Sequence, residues 1–259
     1  MKKIILLLSV VALILYSCNT DDTTTPVAPV NTANILVKKI VTTSVDDPDS
    51  NGTSIFTYSG LKLAGIQVVG VGKSLFYYTG DLITKIEAFE GTSVVERELF
   101  TYNSNGKLIE YRDQSLVDNL EHKYLYVYNS DGSVSYTDNF GIINNTNPNS
   151  SGVNIYTNNE LSSRSFSNQT DSYVYDNKNS PFKNITGLSN LLTVREFADD
   201  YLVFFGKDKN VLKVTDNSDQ TIGVFCTYTY NSNNFPSAAT KRINFPPIQS
   251  TTLNVEYFY

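Results

Sequence analysis

The sequence predicts an all-β protein: an antiparallel meander of about eight β-hairpin repeats that forms a curved or rolled sheet, with one short helical insertion. Three observations predict it. Eighteen tyrosines and fourteen phenylalanines without a tryptophan suit strands, where aromatic side chains fit a pleated, half-buried surface. Short apolar-aromatic runs alternate with clusters of Asn, Asp, Ser and Gly, the residues that tight turns require. One such unit, FTYNSNGKLIEY at Phe100 to Tyr111, returns as YVYNSDGSVSY twenty-six residues later.

In chain order, residues 1–17 place Lys2 and Lys3 ahead of an unbroken apolar run, Ile4 to Leu15. That run is too short to span a bilayer and has the layout of a signal peptide. It ends in LYSC, with Leu15 three places and Ser17 one place before Cys18, which resembles the lipobox of bacterial lipoproteins. The resemblance implies that Cys18 carries a lipid. Asp21 and Asp22 in NTDDTTT look like the acidic export signal of Bacteroidota lipoproteins that reach the cell surface. That implies a protein lipid-anchored to the cell outer membrane, facing the exterior, with the membrane as its first partner. Residues 18–34, rich in Thr, Pro, Ala and Asn, have the composition of a flexible tether.

Loss of Lys2 and Lys3 with the signal peptide makes the formal net charge of −6 more negative by two. An acidic chain without a basic stripe lacks the footprint of nucleic-acid binding, so no nucleic-acid partner is expected. With Cys18 bound to lipid, Cys226 has no disulfide partner within the chain. Its setting, VFCTYTY, marks it as a small buried hydrophobe.

Residues 35–259 repeat one device: an aromatic run, a polar turn, and a second apolar run. By their last aromatic residue the instances are Tyr58, Tyr78, Tyr102, Tyr128, Tyr156, Tyr175, Phe205 and Tyr230, at intervals of 19 to 30 residues. Self-similarity at such a period marks a repeated supersecondary unit. Asn105-Gly106 and Asp131-Gly132 predict two-residue type I′ loops. In that register Ser104 faces Lys107, Tyr102 faces Ile109 and Phe100 faces Tyr111, with Thr101 opposite Glu110 and Leu99 opposite Arg112 on the other side. The next hairpin puts Tyr124, Tyr126 and Tyr128 on one face and Leu125, Val127 and Tyr136 on the other. The helical exception lies in PFKNITGLSNLLTVREFADD, where Ile185, Leu188, Leu191, Leu192, Val194 and Phe197 suggest a short helix near 188–198. Pro181 and Gly187 limit its length.

YNSNGKLIEY and YNSDGSVSY resemble degenerate YD-type, RHS-like β-hairpin repeats of Bacteroidota surface lipoproteins, and YDNKNSPFKNI is similar to a phrase that recurs in them. The resemblance implies architecture and anchoring, and supplies no catalytic residues.

Among candidate sites, DPDSNG matches the first half of a calcium loop through Asp47, Asp49, Asn51 and Gly52. The twelfth position is Tyr58 instead of Glu, and the flanks are strand-like, so calcium is the one cofactor the sequence leaves open. GVGKS at Gly70 to Ser74 imitates a P-loop, but Gln67 stands where glycine is needed and LFYY follows as a strand. Ser59 to Lys62 and Ser104 to Lys107 are Ser-x-x-Lys pairs in turns, where no nucleophile is built. His122 is the only histidine, which excludes multi-histidine metal sites. A carboxylate-dependent hydrolase such as a glycosidase needs only two acids, and Glu87, Glu90, Glu96, Glu98, Glu110, Glu121 and Glu196 are available to it.

The leading expectation is a non-catalytic binding or structural module whose partner is a glycan or a cell-envelope protein. The hydrolase is the alternative. A small outer-membrane β-barrel comes third, suggested by the alternating, aromatic-ended TLNVEYFY and opposed by strands charged on a face that lipid would contact.

Overall fold

The computed structural model describes residues 35–44, 46–167, 169–191, 206–245 and 249–259. Sixteen strands follow one another: β1 (Lys39–Ser44), β2 (Gly52–Ser59), β3 (Lys62–Val68), β4 (Gly72–Thr79), β5 (Leu82–Glu90), β6 (Ser93–Tyr102), β7 (Leu108–Ser115), β8 (Leu120–Tyr128), β9 (Val134–Ile142), β10 (Asn145–Thr157), β11 (Glu160–Phe166), β12 (Gln169–Tyr175), β13 (Val211–Asp216), β14 (Gly223–Tyr230), β15 (Pro236–Phe245) and β16 (Gln249–Phe258). Each pairs antiparallel with the next, and β1 pairs with β16, Lys39 opposite Phe258 and Ser44 opposite Leu253. The sheet is therefore a closed barrel, which corrects the open, rolled meander expected from sequence. Closure leaves no strand edge unpaired. TLNVEYFY, within β16 and its last residue, is the closing segment.

Which face looks inward follows from register, because directly opposed residues share a face. The Phe182 ring packs on Phe56 from inside the core. From Phe56 the pairs run to Ile66, Ser74, Phe76 and Ile86, then Glu98, Phe100, Tyr111 and Tyr124. They continue through Asp138, Tyr136 and Asn154 to Arg164, Asp171 and Val214, and through Cys226, Lys241 and Leu253 back to β1. The circuit closes without changing face. Tyr136 therefore joins Tyr126 inside, where it is buried, and not Leu125 and Val127, whose exposure puts them outside.

The hairpins β2–β3, β4–β5, β6–β7, β8–β9, β10–β11 and β14–β15 all turn at one rim, where the β12–β13 connection and both ends of the described chain also lie. The repeated motif builds this rim. In NSNG and NSDG the Asn103 and Asn129 amides bond to Lys107 and Ser133 carbonyls, and Gly106 and Gly132 donate back to Asn103 and Asn129. Gly106 (φ 71) and Gly132 (φ 87) take the left-handed position. This is a type I turn closed by a glycine bulge rather than the type I′ loop expected. Tyr102 consequently pairs with Leu108 instead of Ile109, while Phe100 still faces Tyr111.

The repeating tyrosine has a shared task. Tyr58, Tyr102, Tyr128 and Tyr175 donate their hydroxyls to the carbonyls of Val37, Ile83, Leu108 and Leu161, and the Tyr78 hydroxyl accepts from the Leu63 amide. Each ring thus reaches sideways to the neighbouring hairpin and latches the residue that begins its inner apolar row. Val37, Leu63, Ile83 and Leu108 are all buried. Burial pushes these phenols up, Tyr78 to about 12, so they stay neutral donors.

The β12–β13 connection covers the same rim. Asp176 accepts from the amides of Lys178 and Asn210 and from the Tyr230 hydroxyl, and Asn179 bonds to the β14–β15 turn at Asn234. Phe182, Ile185, Leu188 and Leu191 then enter the core cluster. The Thr186 amide bonds to Leu61 and the Asn184 side chain to Ile35, so the segment ties several turns together as a plug. The helix expected near 188–198 is corrected to a one-turn 3-10 helix at Leu188–Asn190, preceded by Gly187 at φ 81; the part of that span beyond 191 lies outside the described residues. Phe205, the seventh repeat aromatic, lies outside them too.

Candidate functional site

Along the same inner face, the chemistry changes toward the opposite rim. Tyr111 and Tyr124 stack at 5.7 Å between ring centroids, and two residues further along their strands come Asp113 and His122. Glu98 is the direct partner of Asp113 on β6, and Phe140 is the partner of His122 on β9. Four neighbouring strands thus carry Glu98, Asp113, His122 and Phe140 side by side, with Asp138 beneath.

His122 Nδ1 lies 3.0 Å from Asp138 Oδ1, while Asn149 Nδ2 donates to Asp138 Oδ2 at 2.6 Å. Burial alone would raise the Asp138 pKa, but the hydrogen bonds from His122, Asn149 and Ser150 hold it below its ordinary value. The carboxylate is a fixed anion that orients the imidazole. His122 also faces Phe140 at 4.5 Å between centroids, and both rings are partly open to solvent, the His122 side chain by 35% and Phe140 by 39%. Glu98 accepts from the Tyr111 hydroxyl at 3.1 Å.

Further round the barrel, Arg164 pairs with Asp171 at 3.3 Å, and Gln169 donates to the other Asp171 oxygen. Lys241 is buried on β15 opposite Cys226, and burial lowers its pKa to about 8. The Cys226 thiol is buried and pushed up by desolvation, consistent with a packing role.

The calcium half-loop forms the β1–β2 connection. Asp47 accepts from the Ser50 hydroxyl, Pro48–Ser50 is a 3-10 turn, and the Asn51 side-chain Oδ1 accepts from the Ser44 amide at 2.6 Å. Two of the three candidate ligands, Asp47 and Asn51, are thus engaged in holding their own turn. Among the described residues, no three or more His, Cys, Asp or Glu side chains gather as metal ligands. Gly72, of the P-loop imitation, begins strand β4.

Three of the other acids face outward in ion pairs: Glu87 with Lys85 and Arg97, Glu121 with Arg112, and Glu110 with Lys123; Glu96 shares the inner face of Glu98, opposite Ser115, and Glu90 is the last residue of β5. Glu121 is almost fully buried there, bonded to Gln114 and the Asn144 amide. Glu196 lies outside the described residues.

In the sequence His122 stands as the single histidine and the acids have no evident partners. Strand parity carried the missing signal: His122 alternates with Tyr124 and Tyr126, Asp113 with Tyr111, and Asp138 with Tyr136, so each lies on the aromatic inner face.

No protein-family model matches the chain, and no curated protein does. Solved structures do. A porin-like protein from Bacteroides uniformis ATCC 8492 matches at 14% identity over 86% of this chain and 97% of its own, with a TM-score of 0.56. The chain shares the fold of that barrel. A porin-like protein from Bacteroides vulgatus ATCC 8482 is similar at 12% identity over 87% of this chain and 98% of its own, with a TM-score of 0.54.

Proposed function

We propose that the protein is a barrel held outside the bilayer by a lipid on Cys18, at the outer membrane and facing the exterior, which binds a glycan at the polar end of its inner face. The observation that supports this reading is the polarity of the two faces. A membrane-spanning barrel presents an apolar band to lipid and a polar lumen, whereas here Lys85, Glu87, Arg97, Arg112, Glu121 and Lys123 occupy outer positions on β5 to β8, among exposed Ile55, Leu125, Val127, Ile155 and Val174, and Phe56, Phe76, Phe100, Tyr111 and Tyr124 fill the inner face. The plug covers one rim from within the core cluster. The porin-like neighbours support the outer-membrane β-barrel that sequence ranked third; the charges at outer positions of β5 to β8 support a barrel held beside the bilayer instead.

Glycan is the ligand class that the polar end suits. Phe140 and His122 offer accessible ring faces of the kind that stack on sugars, beside the Asp113 carboxylate and the Asn149 amide for hydroxyl groups, while buried Asp138 holds the imidazole in place. The direct opposition of Glu98 and Asp113 is the specific observation that keeps the hydrolase reading, since a retaining glycosidase needs two carboxyls roughly 5 Å apart.

Glycan-array binding by the mature chain, compared with Phe140→Ala and with Glu98→Gln/Asp113→Asn, tests both readings. The proposal expects binding that Phe140→Ala abolishes, with no released sugar. Turnover lost in the double variant would establish the hydrolase. Absence of any glycan binding would overturn the ligand assignment.

A further inference from the structure

The two rims carry opposite charge. At the tyrosine rim the side chains of Lys38, Lys107 and Lys183 are exposed, and those of Lys178, Lys207 and Lys209 are partly so. Among the described residues five acids, Asp81, Asp131, Glu160, Asp176 and Asp208, stand at this rim against seven lysines with Lys62 counted, so its balance is positive. Glu160 accepts the backbone amides of Lys207, Asp208 and Lys209, Asp176 holds the plug through Lys178, Asn210 and Tyr230, and Asp81 is paired with Lys62. The opposite rim reads the other way: Asp46, Asp47, Asp49, Glu90, Asp118 and Asp219 lie in or beside its turns, and its described loops contain no Lys or Arg.

The chain also enters the barrel at the basic rim. Ile35 is held there by the Asn184 side chain, and the Lys38 amide bonds to the Phe258 carbonyl. Residue 35, which follows the tether expected over 18–34, thus stands at the lysine-bearing rim. We infer that the plugged, basic rim docks on the anionic, phosphate-bearing lipid surface of the membrane that holds the anchor, and that the acidic rim with the His122 site points away from it. This rests on the anchored reading proposed above. The chemistry is that of a polybasic surface: each lysine near an anionic bilayer adds attraction, which fades within a Debye length and with added salt.

The test uses the mature chain with Cys18→Ser, so that lipid binding is read without the anchor. It is co-sedimented with vesicles of phosphatidylcholine alone and with vesicles containing phosphatidylglycerol, at low and high salt. The expected result is binding to the anionic vesicles only, reversed by salt, and reduced at least about tenfold in Lys107→Glu/Lys183→Glu/Lys207→Glu/Lys209→Glu. Neutralising Asp46, Asp118 and Asp219 to Asn should leave it unchanged. Circular dichroism confirms that both variants are folded. Equal binding to neutral vesicles, no binding to anionic ones, or indifference to the lysine reversal would each overturn the proposal. Failure of the anchor is read separately, from the mass of the N-terminal peptide of the native protein.

Discussion

The two ends of the barrel are built from the same strands and the same inner-facing positions, yet they do different work. At the tyrosine rim, hydroxyls and amides are absorbed by the fold: the rings latch neighbouring carbonyls, and the plug fills the centre with Phe182, Ile185, Leu188 and Leu191. At the opposite rim the inner face ends in Asp113, His122 and Phe140, and two of these rings remain partly exposed. The difference teaches that stability and recognition are divided along the strand axis. A change at the first end should cost folding, and a change at the second should cost binding.

The largest effect should come from the plug. Phe182→Ala removes a buried ring that packs on Phe56 at 5.8 Å and should destabilise by about 3–5 kcal/mol. Thermal unfolding should show a drop of roughly 10 °C for a domain of this size. Gly187→Ala should fall in the same direction, because a Cβ there would lie 2.5 Å from the Asp81 carbonyl oxygen on a left-handed backbone.

Acid should act next. Hydrogen bonds and ion pairs hold the folded pKa values of Asp138, Glu121 and Glu87 below their ordinary values despite burial. Their stabilisation is therefore complete above the unfolded carboxylate range of about 4 and is lost as pH falls below it, through the lower folded values. Denaturant midpoints measured from pH 7 down to pH 3 should stay level and then decline, and Asp138→Asn should flatten that decline.

A single latch is worth less. Tyr102→Phe deletes one hydrogen bond to Ile83 and should cost on the order of 1 kcal/mol, visible as a small shift in denaturant midpoint with glycan binding intact. Phe140→Ala should do the reverse, leaving the melting temperature within about 2 °C while removing ligand binding. The smallest expected effect is that of calcium: with Asn51 and Asp47 already bonded within their loop, replacing EDTA by millimolar calcium should leave the melting curve unmoved.

Much of the barrel was legible locally. The repeat, its hairpin order and the aromatic face all follow from alternation around NSNG and NSDG, and the pairing of Phe100 with Tyr111 is as that alternation requires. Closure was signalled at one place only, TLNVEYFY, whose alternation and aromatic end suggested the last strand of a barrel and which does pair with β1; the open meander was the leading expectation because β1 and β16 meet across the length of the domain, beyond the reach of any hairpin pattern. The turn type was missed for a different reason. Asn-Gly serves both loops, and the deciding feature is Asn103, whose side chain accepts the amides of Asn105 and Lys107. The apolar spacing from Ile185 to Leu191 signalled a buried face correctly, but Gly187 breaks the backbone that would have made it a helix. At the candidate site, parity pointed to His122 and Asp138; only register across four strands could bring Glu98, Asp113, His122 and Phe140 together.

The proposed function turns on a barrel that buries its aromatic cluster inside and stands in water. The direct measurement is the solution behaviour of the mature Cys18→Ser chain in detergent-free buffer, by light scattering and far-ultraviolet circular dichroism. The account predicts a folded, β-rich, non-aggregated protein with a cooperative thermal transition. A chain that aggregates without detergent and folds only in micelles or vesicles would contradict it, and would make the charged outer face described here a surface that lipid covers.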